Sequence, residues 1–263
     1  MSTSRSTPAP SPAAIVDRLR AAGCVFAEDE AQLLIDAATT PATLLSLVEQ
    51  RVAGLPLEHI VGWAGFCGLR IAVDPGVFVP RQRTELLVRR AAALAGPGSV
   101  VVDLACGSGA VGVAVATLVG DVDLYAVDIE PAAVACARRN LAAFDGHVYA
   151  GDLYAPLPAR LRGRVDVLVA NVPYVPTGAV ALLPPEARLH EPLVALDGGG
   201  DGLDVLRRVA AGARDWLATG GHLLSEVGAD QVDAAVDTLS AAGLTPSVAS
   251  DDELAATVVI GRR

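Results

Sequence analysis

Cysteine and histidine are few and scattered along this chain. They are Cys24, Cys67, Cys106 and Cys136, and His59, His147, His190 and His222. No two cysteines form a close pair, and no histidine accompanies a cysteine at the spacing of a zinc site. The pattern therefore indicates neither a disulfide framework nor a metal centre, and we expect reduced thiols and no metal.

Long apolar runs are also missing. No run approaches the roughly 18 residues that span a bilayer, and residues 1–12 are rich in Ser, Pro and Ala without an apolar signal core. We therefore expect a cytoplasmic protein without a membrane segment, with residues 1–10 as a disordered tail. The 263 residues, 52% of them hydrophobic, are enough for one large domain and a small one.

Positive charge is scarce. The chain has 20 Lys and Arg against 30 Asp and Glu, a formal net charge of −10. Non-specific attachment to a phosphate backbone depends mainly on Lys and Arg, so we expect no stable binding of nucleic acid. Arg160, Arg162 and Arg164 form an alternating basic stretch. We interpret it as a solvated loop, with a local basic face as the alternative.

Hydrophobic periodicity divides the chain into three parts. Residues 11–58 have apolar positions at helical spacing, which predicts a small domain of three or four short helices for packing or partner recognition. Residues 59–83 alternate aromatic and β-branched residues with glycine, which predicts a β-hairpin connector. From residue 84 to 263, strands and helices alternate as in a doubly wound α/β domain. The predicted strands of this domain are residues 100–104, 123–127, 148–150, 165–170, 221–227 and 256–260, with a helix at 232–241 before the last.

A glycine turn, Gly107-Ser108-Gly109-Ala110-Val111-Gly112, follows the first predicted strand and opens a helix. This context favours a dinucleotide or nucleoside site over simple helix packing, but it does not distinguish NAD, FAD and S-adenosylmethionine. Asp128 ends the second strand about twenty residues later, where an acid hydrogen-bonds ribose hydroxyls; the alternative is a helix N-cap. Asp152 and Leu153 follow the third strand, where adenine is expected, although a plain turn aspartate is the alternative.

The most informative motif is Asn171-Val172-Pro173-Tyr174, directly after the fourth strand. The lone pair of an amide or exocyclic amine is delocalised, so methylating it requires acceptors that orient the NH₂ group. The Asn171 side-chain oxygen and the Val172 carbonyl are suitable, because Pro173 restricts the residue before it. Tyr174 can cover the planar group. An ordinary strand end is the alternative, but the glycine turn, Asp128 and Asn171 all follow parallel strands and so share the edge where such sheets bind ligands.

Together these motifs make the chain similar to the protein-(glutamine-N5) methyltransferases that modify the Gly-Gly-Gln loop of peptide chain release factors. The resemblance spans about 200 residues, and the segments that carry it are residues 56–62, 66–70, 79–86, 103–109 and 198–203. The connector segments make it specific, because general methyltransferases lack them. The resemblance implies a Rossmann-like S-adenosylmethionine-dependent methyltransferase domain preceded by a helical domain that contacts the release factor.

The resemblance also implies roles for individual residues. S-adenosylmethionine would be held by Ala105, Cys106, Gly107, Ser108, Gly109, Asp128 and Asn171, with Asp152 and Leu153 beside its adenine. The glutamine amide would be bound by Asn171, Val172, Pro173 and Tyr174, in a pocket lined by Arg81 and Thr84. Neither Glu191 nor Glu226 is expected to be catalytic.

Three departures from the family pattern leave the substrate open. Val172 replaces the first proline of Asn-Pro-Pro-Tyr, which removes some rigidity from the turn. Ala105-Cys106 replaces Gly-Thr, and residues 254–257 replace a more polar approach to the last strand. These changes suggest a divergent branch, with another protein substrate as one possibility. Two further alternatives are an amino methyltransferase acting on adenine or guanine in nucleic acid, and an NAD-dependent oxidoreductase or non-catalytic Rossmann module.

Overall fold

The computed structural model describes residues 10–263, so the predicted tail, apart from Pro10, lies outside the described residues. The first elements are four helices, which bury Ile15, Leu34 and Val48 against one another. Ser11 caps the first helix by accepting from the Ala14 N–H, as Ser and Asp do at helix starts. The four helices are α1 (Pro12–Ala21), α2 (Ala27–Ala37), α3 (Pro41–Val52) and α4 (Leu57–Val61). Helix α4 runs across residue 58, where the predicted helical domain ends.

A two-stranded antiparallel hairpin follows, formed by β1 (Trp63–Phe66) and β2 (Leu69–Ala72). The positive φ of 73° at Gly68 lets the chain reverse between the strands. Asn140 attaches the hairpin to the next domain, because its side chain bonds both the N–H and the carbonyl of Ala72. Phe66 and Ile71 pack into the same core as the helices of that domain.

The next domain is a seven-stranded sheet in the order β5-β4-β3-β6-β7-β9-β8. Strands β3 to β7 are parallel, and β9 is antiparallel to both β7 and β8. The strands are β3 (Ser99–Leu104), β4 (Val122–Asp128), β5 (His147–Ala150), β6 (Val165–Ala170), β7 (Leu217–Glu226), β8 (Thr245–Asp251) and β9 (Ala256–Arg262). The predicted Rossmann-like α/β fold is confirmed.

Helices cover both faces of this sheet, so its central strands are mostly apolar on both faces. One face packs under α5, α6 and α7, and the other under α9 and α10. The helices are α5 (Glu85–Leu94), α6 (Ala110–Val119), α7 (Pro131–Leu141), α8 (Pro185–His190), α9 (Asp204–Trp216) and α10 (Val232–Ala241). Among residues 10–263, no helix is both long and apolar enough to cross a membrane.

Two features differ from the predicted strands by more than two residues. Strand β7 begins at Leu217, four residues earlier than predicted, because Leu217 already pairs with Val165 of β6. An irregular stretch follows, and regular pairing resumes at His222 opposite Val167. Strand β8 was not predicted. It lies at the edge of the sheet and is mostly exposed, so it has no apolar alternation, and an edge position also tolerates its Pro246.

Candidate active site

An open pocket of about 970 Å³ lies at the carboxyl ends of β3, β4 and β6. The hairpin connector contributes Phe66 and Phe78 to its wall, and the segment after α8 contributes Pro192, Val194, Ala195 and Leu196. The predicted site residues that line it are Thr84, Ala105, Cys106, Gly107, Ser108, Asp128, Asn171, Val172, Pro173 and Tyr174. The structure therefore brings the glycine turn, the acid after β4 and the Asn-Val-Pro-Tyr turn together.

The glycine turn is built from left-handed backbone. Ala105, Gly107 and Gly109 have φ of 54°, 55° and 78°. A Cβ at Gly109 would lie 2.4 Å from Cδ1 of Leu141 in α7, whereas a Cβ at Gly107 would have Phe78 as its nearest neighbour, 4.0 Å away across the pocket. Gly109 thus allows the turn to pack on α7, and Gly107 keeps the pocket wall open.

Asp128 braces this turn from the end of β4. Its Oδ2 accepts from the Gly107 N–H at 2.8 Å, and its Oδ1 accepts from the Glu130 N–H at 2.9 Å. Burial raises the pKa of this carboxyl. Behind it, Asp103 accepts from the Gly112 N–H at 3.0 Å, and burial raises the pKa of Asp103 to about 7. Each Asp128 oxygen keeps a second lone pair for a ligand hydroxyl.

The Asn-Val-Pro-Tyr turn is held by chain that is distant in sequence. A Cβ at Gly198 would lie 2.6 Å from the Pro173 carbonyl oxygen, and one at Gly202 would lie 2.2 Å from that of Tyr174. Gln231 donates from Nε2 to the same Tyr174 carbonyl at 2.8 Å. Backbone packing and this hydrogen bond constrain the turn, so they offset the rigidity that is lost where Val172 replaces proline.

A buried carboxylate, Glu226, lies beside the turn at the end of β7. It is 3% exposed. Its partners are the Thr84 hydroxyl at 2.7 Å, the Tyr174 hydroxyl at 2.9 Å and the Arg83 Nε at 2.9 Å. Sequence reasoning missed this cluster. The available signal was that Glu226 ends the strand next to β6, at the same edge of the sheet as Asn171.

Four predicted site residues do not line the pocket. Arg81 bonds both carboxylate oxygens of the buried Glu191 at 2.7 Å, which pins the segment after α8 to the connector. Gly109 faces α7. Asp152 follows β5 and its half-exposed carboxylate pairs with Arg208, while Leu153, with φ of 46°, packs partly against the core.

The known proteins that this chain is similar to in sequence are methyltransferases. The family model described as Methyltransferase small domain matches residues 68–201. A release factor glutamine methyltransferase from Geobacter sulfurreducens is 36% identical over 224 residues, which cover 84% of this chain and 78% of that protein. One from Gloeobacter violaceus is 39% identical over 204 residues, covering 75% and 70%.

Among solved structures, the ribosomal protein L11 methylase from Lactobacillus delbrueckii subsp. bulgaricus matches with a TM-score of 0.52. It is 18% identical, and the match covers 73% of this chain and 84% of that one. This likeness supports the fold.

Proposed function

This chain belongs to the release factor glutamine methyltransferase family, and we propose that it methylates the side-chain amide nitrogen of the glutamine in the Gly-Gly-Gln loop of a peptide chain release factor. The methyl donor is S-adenosylmethionine. We also propose that the protein acts in the cytoplasm and forms no stable complex with nucleic acid.

The observation that carries the proposal is the orientation of Asn171 at the pocket wall. Its Nδ2 donates to the Thr84 hydroxyl oxygen at 3.4 Å, so its Oδ1 is available to accept from a substrate NH₂. The Val172 carbonyl is the second acceptor in the same turn. Two acceptors fixed beside a planar amide orient its nitrogen and stabilise the positive charge that develops there. The turn thus suits an uncharged nitrogen better than a carboxylate or a hydroxyl.

The residues around the glycine turn fit the methyl donor. S-adenosylmethionine supplies an electrophilic methyl group on its sulfonium. The missing side chain at Gly107 leaves the wall open to close approach, and Asp128 presents a carboxylate for ribose hydroxyls at the same wall. We propose that Ala105 to Gly109, Asp128 and Asn171 hold the donor, with Asp152 and Leu153 bordering its adenine from the rim.

The remaining chemistry belongs to the substrate amide and the turn. Asn171 and Val172 hold the NH₂ group, while the Tyr174 ring, anchored through its hydroxyl to Glu226, covers the amide plane. The new N–C bond would form as the bond between the methyl group and sulfur breaks. The nitrogen becomes acidic in this step, so its proton would leave late to solvent water and no strong general base is needed. Thr84 lines the pocket and supports Asn171, whereas Arg81 acts by holding Glu191 and the pocket segment beyond it.

We further propose that helices α1 to α4 contact the release factor. Support comes from Arg51 of α3, which pairs with Glu30 of α2 and with Glu186 of α8. Helix α8 leads through Glu191 into the segment that contributes Pro192 and residues 194–196 to the pocket wall. A partner bound to the helices would therefore lie beside the pocket, as a protein substrate requires.

The test is transfer of labelled methyl from S-adenosylmethionine to purified release factors. One factor has its native Gly-Gly-Gln loop and the matched control has this glutamine replaced. Label that depends on the glutamine supports the proposal. If neither factor is labelled while the protein binds S-adenosylmethionine, the release factor is the wrong substrate, and other proteins and nucleic acids are tested next.

A further inference from the structure

Glu226, at the end of β7, has three polar partners beside the pocket. It is almost completely buried, yet it accepts hydrogen bonds from two hydroxyls and forms an ion pair with one guanidinium. Both hydroxyls, those of Thr84 and Tyr174, belong to residues that line the pocket. The Arg83 guanidinium also lies over the Tyr174 ring, 5.5 Å from its centroid. Glu226 therefore holds both Thr84 and Tyr174 in place beside the proposed amide site.

The direction of these hydrogen bonds determines the orientation of Asn171. A carboxylate only accepts, so the Thr84 hydroxyl must donate its proton to Glu226. The Thr84 oxygen is then left as an acceptor toward Asn171. An amide meets an acceptor with its NH₂ group, which is the observed contact of Asn171 Nδ2 with Thr84 Oγ1. The other end of the amide, Oδ1, is consequently the end left for the substrate.

Loss of the carboxylate would remove this constraint. The Thr84 hydroxyl could then donate to Oδ1 of Asn171, and the amide could rotate so that its NH₂ group faces the substrate. Two NH₂ groups would then meet, donor against donor, and the substrate nitrogen would lose an acceptor. Because the two ends of an asparagine amide have the same shape, packing alone does not prevent the rotation.

We propose that Glu226 is a positioning residue for methyl transfer: through the Thr84 hydroxyl, it keeps the Asn171 oxygen directed at the substrate nitrogen. This inference rests on the proposed function of the site. Glu226 touches neither substrate nor methyl donor in this scheme, and its effect passes through Thr84 and Asn171.

The test compares Glu226→Gln with Asp166→Asn, a matched change of carboxylate to amide. Asp166 accepts from the Val100 N–H at 2.8 Å near the opposite ends of the strands, far from the pocket. In Glu226→Gln, we expect the side-chain oxygen to face the Tyr174 hydroxyl and the Arg83 guanidinium, which both lie at Oε1 of Glu226, so that the NH₂ group faces Thr84 and its acceptor is lost. We therefore expect kcat for the release factor to fall about 10- to 100-fold, with the Kd for S-adenosylmethionine changed by less than about threefold. Asp166→Asn should keep kcat within about twofold, since it shares no partner with the site.

Thr84 variants separate positioning from a general structural effect. Thr84→Ser keeps the hydroxyl and should retain kcat within about threefold, whereas Thr84→Val should lose it as Glu226→Gln does. The two losses should not add: with Thr84→Val already present, Glu226→Gln should cost no more than about a further twofold. A full additional loss would show that Glu226 acts by another route and would overturn the inference.

A measurement without substrate separates this inference from the proposed function. The side-chain NH₂ signals of Asn171 in a ¹⁵N–¹H spectrum, identified by their loss in Asn171→Ala, should move in Glu226→Gln and stay in place in Asp166→Asn. Unmoved signals in Glu226→Gln would overturn the role of Glu226 even if the enzyme methylates release factors. Failure of the wild-type protein to label any release factor would instead refute the proposed function.

Discussion

Two glycines of the same turn should respond differently to the same substitution: Gly109→Ala should mainly reduce stability, and Gly107→Ala should mainly weaken binding of the methyl donor. Gly109→Ala places a methyl group 2.4 Å from the buried Leu141 side chain and 3.3 Å from the Ala137 Cβ, at a φ of 78°. The left-handed backbone costs about 1–2 kcal/mol for a residue with a Cβ. Overpacking a filled core costs about 1–3 kcal/mol more. We therefore expect the free energy of unfolding to fall by about 2–5 kcal/mol.

Gly107→Ala is the matched control. Its φ of 55° is also left-handed, but the nearest atom to its Cβ is 4.0 Å away across the pocket. Backbone strain alone, about 1–2 kcal/mol, should reduce stability. The new methyl group instead enters the proposed donor site, so the Kd for S-adenosylmethionine should rise by at least about tenfold, which is the loss of about 1.4 kcal/mol of binding.

Urea unfolding gives the stability of each variant, and calorimetry at a temperature where both are folded gives the Kd. The reasoning would be refuted if Gly109→Ala lost less than about 1 kcal/mol, since the overlap with Leu141 would then be relieved at no cost. It would equally fail if Gly107→Ala bound S-adenosylmethionine as tightly as the wild-type protein.

Three further predictions concern Asn171 and two buried ionisable residues, Asp103 and Arg51. Asn171→Ala should abolish methyl transfer while leaving the Kd for S-adenosylmethionine within about threefold by calorimetry; equal losses of both would contradict its role. Burial raises the pKa of Asp103 to about 7, above the value of about 3.9 in an unfolded chain. The protonated carboxyl therefore contributes fully to stability below about pH 4, and this contribution is lost as the pH rises to about 7. In Asp103→Asn, the free energy of unfolding from urea titrations should not show this loss across the same pH range. A pH dependence equal to that of the wild-type protein would contradict the prediction. Arg51→Met should cost about 3–5 kcal/mol in thermal unfolding, because Glu30 would stay buried without its cation, whereas Glu186→Gln, at a half-exposed carboxylate, should cost no more than about 1 kcal/mol.

Local sequence was sufficient for the parts of this protein whose signal lies within a few residues. The apolar run of β6 predicted a buried strand with the right ends, residues 165–170. The glycine turn and Asp128 were predictable for the same reason: a strand, a turn and a helix follow one another along the chain. Because parallel strands end at one edge, the sequence also predicted that Asn171 would lie near them.

Tertiary structure decided what depends on distant contacts. The exposed edge strand β8 buries too little to show an apolar pattern. Glu226 contacts Thr84 across 142 residues of sequence, and no local pattern indicates that pairing. Likewise, the rigidity of the turn at Val172 comes from the backbone of Gly198 and Gly202. The sequence by itself determined which groups reach the active edge, whereas only the packed structure decided how those groups are oriented, because hydrogen-bond direction depends on partners that folding brings together.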